Sequence, residues 1–107
     1  MILRIQKSRR AKKDIDRIAE YLVEEAGLNT GERFSHAVER AFSEIAEMPG
    51  MGWNWQSPNT RLKGLRAWSV PGFNDYLIIY RENQKDLEIF RVIHGDRDLV
   101  SNDINEI

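Results

Sequence analysis

The apolar residues of this chain change period twice, and that change restricts the fold more than any other feature of the sequence. In "ILRIQ", residues 2–6, apolar and polar residues alternate as in a short opening strand. Ala11, Ile15, Ile18, Leu22 and Ala26 then step by four, three, four and four, which stacks them into one stripe of a helix. Ser8 offers the N-cap and Gly27 the stop, so the spacing predicts a first helix over residues 9–26. A second helix is expected from the capping-box pattern Asn29 to Glu32, with Phe34, Ala37, Val38, Ala41, Phe42, Ile45 and Met48 on one face and Pro49 as its end. The link between them is short, which implies an antiparallel helical hairpin.

Beyond a Gly- and Pro-marked loop at residues 49–60 the period returns to two. "LRAWSV", "DYLIIYR" and "LEIFRVIH" read as strands, separated by the turn-forming "PGFN" and "ENQKD". The fold class expected is α+β: a strand, a two-helix hairpin, then an antiparallel sheet of three or more strands with the helices on one face. The last two runs are apolar at both parities. Leu87, Ile89 and Ile93 alternate with Phe90 and Val92, while Leu77 and Ile79 alternate with Ile78, Tyr76 and Tyr80. Two helices cover one face only, so the second face calls for a partner segment, or for the tail "DLVSNDINEI" folded back as a lid.

Composition narrows the class. A chain of 107 residues with 41% hydrophobic content suits one domain over residues 1–107. There is no cysteine, which leaves no disulfide framework or thiolate zinc site and fits a reducing, cytoplasmic setting. No membrane span or signal peptide is read from the sequence. The net charge of −1 argues against a simple cationic nucleic-acid binder, but it hides blocks of alternating sign. Residues 1–17 hold seven basic and two acidic side chains, and residues 18–48 hold seven acidic and two basic. The block Lys7, Arg9, Arg10, Lys12, Lys13 and Arg17 sits in the first turns of a helix, where the macrodipole disfavours positive charge, so an acidic partner would relieve it.

The stretch "RVIHGDRDL", residues 91–99, is the one place where chemistry concentrates. His94, Asp96 and Asp98 have an H-x-D-x-D spacing that would gather three metal ligands on a continuing strand. Gly95 signals a bend instead, so the expectation is structural, with His94 closing the strand and its ring hydrogen-bonded. No nucleophile motif is present, and His36 falls on the charged side of the second helix. Arg61, Lys63, Arg66 and Arg81 form a basic rim without a convincing general base. Trp53 and Trp55, in "GMGWNWQ", are candidate interface anchors.

The helical hairpin ending in "EMPGMG", with "VPGFNDYLIIYR" and "LEIFRVIHGDRDL", resembles the ParE branch of the ParE/RelE toxin superfamily over nearly the whole chain. The resemblance rests on Pro49 and Gly52, on Tyr76, Tyr80 and Arg81, and on Arg91, Val92, His94, Gly95, Arg97 and Asp98; Asp96 stands where the family often has a small residue. It implies the toxin half of a type II toxin–antitoxin pair, held in a hetero-oligomer by a ParD-like antitoxin, with DNA gyrase as a target inhibited by binding rather than turnover. It implies no cofactor, no metal, and no sequence-specific nucleic-acid binding by the toxin alone. The alternative is the RelE activity, ribosome-dependent cleavage of mRNA, through Arg66, Arg81 and Arg97. Against it, Leu77 stands where RelE-like members carry a strand arginine, and no Tyr or His follows His94. The residues expected to meet the antitoxin are Arg10, Lys13, Tyr76, Tyr80, Arg81 and Phe90, and those expected to meet the target are Trp53, Trp55, Arg66 and Arg97.

Overall fold

The structure, a computed structural model, describes residues 2–56 and 62–95. Strand β1 (Arg4–Lys7) leads into helix α1 (Arg9–Ala26) and helix α2 (Leu28–Glu47), followed by strands β2 (Trp53–Asn54), β3 (Arg66–Val70), β4 (Phe73–Asn83) and β5 (Asp86–His94). Helix α1 has the bounds that its apolar spacing predicts. Ser8 caps it, its hydroxyl accepting from the Ala11 amide at 3.0 Å while donating to the Phe90 carbonyl at 2.7 Å.

The capping box at Asn29 is not used. Gly27, at φ +98°, ends α1 by donating its N–H to the Val23 carbonyl, and its own carbonyl accepts from Thr30 and Gly31 as the start of α2. One glycine therefore serves both helices, and α2 starts at Leu28 without a side-chain cap. Helix α2 ends at Glu47, and Pro49 opens a single 3₁₀ turn, Pro49–Met51.

The later strands pair antiparallel as expected, and the sheet extends beyond them: it has five strands in the order β1-β5-β4-β3-β2, made mixed by β1, which lies parallel to β5. The two-helix crossover carries the chain back far enough for β1 to be joined by a later strand running its own way. Strand β2, two residues long within the expected loop, pairs with β3 at the opposite edge. The turns are tighter than the sequence suggests: Val70 pairs with Phe73 across Pro71–Gly72, and Asn83 with Asp86 across Gln84–Lys85. Gly72 and Gln84 take the positive φ these turns require, +83° and +57°.

The main core lies between the hairpin and one sheet face. Helix α2 supplies Phe34, Val38, Phe42 and Ile45, and the sheet supplies Ile78, Tyr80, Leu87, Ile89 and Val92. Helix α1 buries only Ala11 and Asp14, and Ile15, Ile18 and Leu22 pack at half burial. The register between β4 and β5 shifts at Ile79/Tyr80, which pair with Arg91 and Ile89, leaving Phe90 as an extra residue. That bulge regroups the faces of β5: Val92 joins Leu87 and Ile89 in the main core, while Ile93 goes to the other side with Phe90.

The second face is not open. Leu65, Ala67, Ile79 and Ile93 form a smaller buried cluster there, with Trp55, Leu62, Leu77 and Phe90 packed against it. Trp55, Leu62 and Leu65, between β2 and β3, thus supply cover that the sequence reading assigned to a partner. The tail after Gly95 lies outside the described residues. Among the described residues the large exposed apolar side chains are elsewhere, at Ile2 before β1, at Tyr21, Val23 and Leu28 on the hairpin and at Met48 and Trp53 beyond its base.

Candidate functional site

The flank of α1 that faces the end of the sheet holds a groove of about 360 Å³. Its floor is an ion pair. Arg91 donates from Nε to Asp14 Oδ2 at 2.7 Å and from Nη2 to Oδ1 at 3.0 Å, and Asp14 Oδ2 also accepts from the Val92 amide at 3.0 Å. Both side chains are buried, so α1 is pinned to β5 by a paired charge whose oxygens are occupied. The walls are Tyr21, which is exposed, Tyr76, His94 and Arg17. Tyr76 meets His94 edge to face at a ring distance of 5.2 Å and meets Phe34 at 5.3 Å. His94 does end β5, as expected, but ring packing holds it, and its buried Nδ1 has no hydrogen-bond partner. Aromatic walls with an exposed cation beside them suit an apolar or aromatic side chain next to a carboxylate.

The residues expected to meet an antitoxin are spread over three places. Arg10 and Lys13 lie in the first half of α1, outside the lining of this groove, and Tyr76 lines it. Arg81 and Phe90 lie on the second face, where the Arg81 guanidinium stands 5.2 Å from the Phe90 ring and bonds Glu88 Oε1 from Nε and Nη2 at 3.1 Å each. Tyr80 is fully buried, which corrects its assignment to an exposed surface. Its hydroxyl donates to the Pro49 carbonyl at 2.8 Å and accepts from the Gly52 amide at 2.9 Å. Burial pushes its pKa above 10.0, against smaller opposite pulls from the Gly52 amide and Arg66.

Tyr80 is instead the support of a second exposed patch. Arg66 donates from Nη1 to the Gly52 carbonyl at 2.7 Å, so Tyr80 and Arg66 between them bind both polar groups of Gly52. A Cβ on Gly52 would lie 2.5 Å from the Tyr80 hydroxyl and 2.7 Å from the Ala67 carbonyl oxygen, which only glycine avoids. The next residue, Trp53, is exposed, with Trp68 at a ring distance of 6.4 Å. Trp55 turns the other way into the second cluster, its Nε1 buried without a partner. Arg61, Asp96, Arg97 and Asp98 lie outside the described residues. Among the described residues no three His, Cys, Asp or Glu side chains are placed to hold a metal ion, and no helix is long and apolar enough to cross a membrane.

Comparison with known proteins follows this geometry. The family model for the ParE toxin of the type II toxin–antitoxin system parDE matches residues 5–99. The chain belongs to the ParE toxin family. A solved structure described as the chromosomal ParDE TA system from P. aeruginosa has a similar fold, with a TM-score of 0.71 at 16% identity, covering 87% of this chain and 96% of that one. A search of curated proteins returns no match. In this ParE-family chain the sequence reading missed Asp14, Tyr21 and Gly31. Asp14 had a signal: it interrupts the apolar stripe one turn after Ala11, just as Arg91 interrupts an apolar strand, and two such intrusions of opposite charge invite pairing.

Proposed function

We propose that this protein is a toxin that acts by binding DNA gyrase and is held inactive by a ParD-like antitoxin in a hetero-oligomer. The observation that carries the reading is the family match over residues 5–99, which spans both helices and, but for Arg4, all five strands. The antitoxin contact we assign is the α1 flank. Acidic residues of the antitoxin meet Arg10 and Lys13, and an apolar side chain enters the groove beside Tyr21 and Tyr76. Arg81 and Phe90 form a second, smaller contact on the opposite face. The target contact is the patch of Trp53 with Arg66 beneath it, Trp55 acting from inside by packing; Arg97 is the remaining target residue proposed.

The RelE reading has less support. Arg66 pairs across the sheet with the core residue Tyr80, whereas Arg81 lies on the second face with Glu88. Two cations on opposite faces do not converge on one phosphate. The test is purified protein in a gyrase supercoiling assay beside a translation-linked RNA cleavage assay, each with and without antitoxin. Inhibition of supercoiling that antitoxin reverses is the expected result. RNA cleavage without effect on gyrase overturns the target, and no response to antitoxin overturns the pairing.

A further inference from the structure

A separate hollow of about 410 Å³ lies between α2 and the turn that joins β3 to β4. Its polar lining is Arg33, His36 and Arg40, its apolar lining includes Ala37, Pro71 and Phe73, and none of its lining residues is acidic. The three nitrogen-bearing positions step by three and four along α2, so they share one helix face over two turns, about 10 Å along the axis. Arg33 is held in place: its guanidinium lies over the Phe73 ring at 6.0 Å, and its Nη2 donates to Thr30 Oγ1 at 3.4 Å. The Phe73 ring is itself fixed edge to face against Phe34 at 5.3 Å. Packing on a ring occupies one face of a guanidinium and leaves its other N–H groups in plane for an oxyanion. Neither arginine is ion-paired and the His36 side chain has no hydrogen-bond partner among the described residues. Glu39, next to Arg40 in sequence, bonds Lys7 instead at 3.0 Å.

The charge around the hollow decides the size of the anion. Beyond Arg40, α2 continues with Ser43, Glu44 and Glu47, and β4 carries Asp75 two residues after Phe73. A phosphodiester strand running on past the hollow in either direction meets like charge, whereas a compact polyanion ends where the cations end. We infer that the hollow binds a nucleoside di- or triphosphate, with the phosphate chain across Arg33, His36 and Arg40 and the base or sugar against Ala37, Pro71 and Phe73. Two arginines a fixed distance apart favour a chain of phosphates over a single carboxylate, and the volume is that of a small-molecule site. The hollow shares no lining residue with the groove beside Arg91, so its occupation is independent of the antitoxin reading above.

The experiment is calorimetric titration of ATP, GTP, AMP, inorganic tripolyphosphate and a short single-stranded DNA into the wild-type chain and into R40Q and R33Q/R40Q, in magnesium-free buffer at about 50 mM and 300 mM salt. The expected result is binding of ATP or GTP with a Kd roughly tenfold or more higher in R40Q at low salt, higher again in the double variant, and a gap that narrows at high salt. AMP and tripolyphosphate, each lacking one half of the ligand, bind more weakly than the triphosphate nucleotide. Both positions are exposed, and R40Q leaves the Arg33–Phe73 contact in place, so it reads the site alone if the double variant melts earlier than wild type. No binding of either nucleotide at about 5 mM, or an equal Kd for folded R40Q and wild type, overturns the site. Tripolyphosphate that binds as tightly as the nucleotides overturns the nucleoside, and tighter, arginine-dependent binding of the single-stranded DNA overturns the compact ligand.

Discussion

At the residue scale, Tyr80 joins two jobs that a sequence reader separates: it fills the core and ties down the turn that presents Trp53. Tyr80→Phe keeps the ring and removes two hydrogen bonds, stranding the Gly52 amide, for a loss of about 1–3 kcal/mol in denaturant unfolding. The sign of its pH effect follows from the raised pKa. The unfolded chain ionises this phenol near pH 10, whereas the folded chain resists ionisation, so the stability it contributes is complete below about pH 10 and lost as pH climbs through the higher folded value. Tyr80→Phe should therefore flatten the alkaline limb of the stability curve, measured by unfolding between about pH 8 and 11. Gly31 gives a second test. Gly31→Ala gains helix propensity but drives a Cβ into Val23 and the Ala19 carbonyl, so a net loss of about 1–2 kcal/mol is expected in thermal melts. A gain in stability would mean that the helices do not approach as described.

At the scale of elements, α1 is weakly buried and strongly pinned. Its apolar stripe reaches only half burial beyond Ala11, and the Asp14–Arg91 pair supplies the fixed point against β5. Asp14→Ala leaves Arg91 buried with its main partner removed and should cost about 3–5 kcal/mol. Asp14→Ala with Arg91→Met removes both charges and should cost less than the single change, which a double-mutant cycle by chemical denaturation checks. The elements were legible to the degree that each carries its own period. The α1 bounds, the Ser8 cap and the three later strands stand in the sequence because spacing and capping are local. The bulge at Phe90 was not legible, because an extra residue in an apolar run leaves no mark until the partner strand fixes the register. It turned one half-buried pattern into an apparent second apolar face. Strand β2 was missed for a similar reason, since two residues have no period, and the parallel pairing of β1 depends on where two helices return the chain.

For the whole molecule, charge is arranged by region. Basic and aromatic groups line one flank of α1 and carboxylates line the other. Of the ten residues singled out from sequence, Tyr76 lines the groove beside α1, whereas Tyr80 was misplaced because an amphipathic ring on a doubly apolar strand gives no sign of which side its hydroxyl will find a partner. Reversing Arg10 and Lys13 to Glu should lower the antitoxin association rate at least tenfold at low salt and flatten its salt dependence, with little change in dissociation, as read by stopped-flow mixing. An unchanged association rate in a folded variant would place the antitoxin's acidic residues elsewhere.

A ribosome makes β1 among the first residues and β5 among the last described. Arg4 and Asp86, 82 residues apart, pair across the two strands, and β5 is the neighbour of β1 among the described strands. At about 5–20 residues per second, the first strand waits on the order of 5–20 s for its partner to be synthesised. During that interval Ser8 lacks the Phe90 carbonyl and Asp14 lacks Arg91, so α1 has neither its anchor nor its groove. Chains that end before β5 therefore lack the Ser8 and Asp14 anchors of α1 and, with them, the sheet side of the groove beside it.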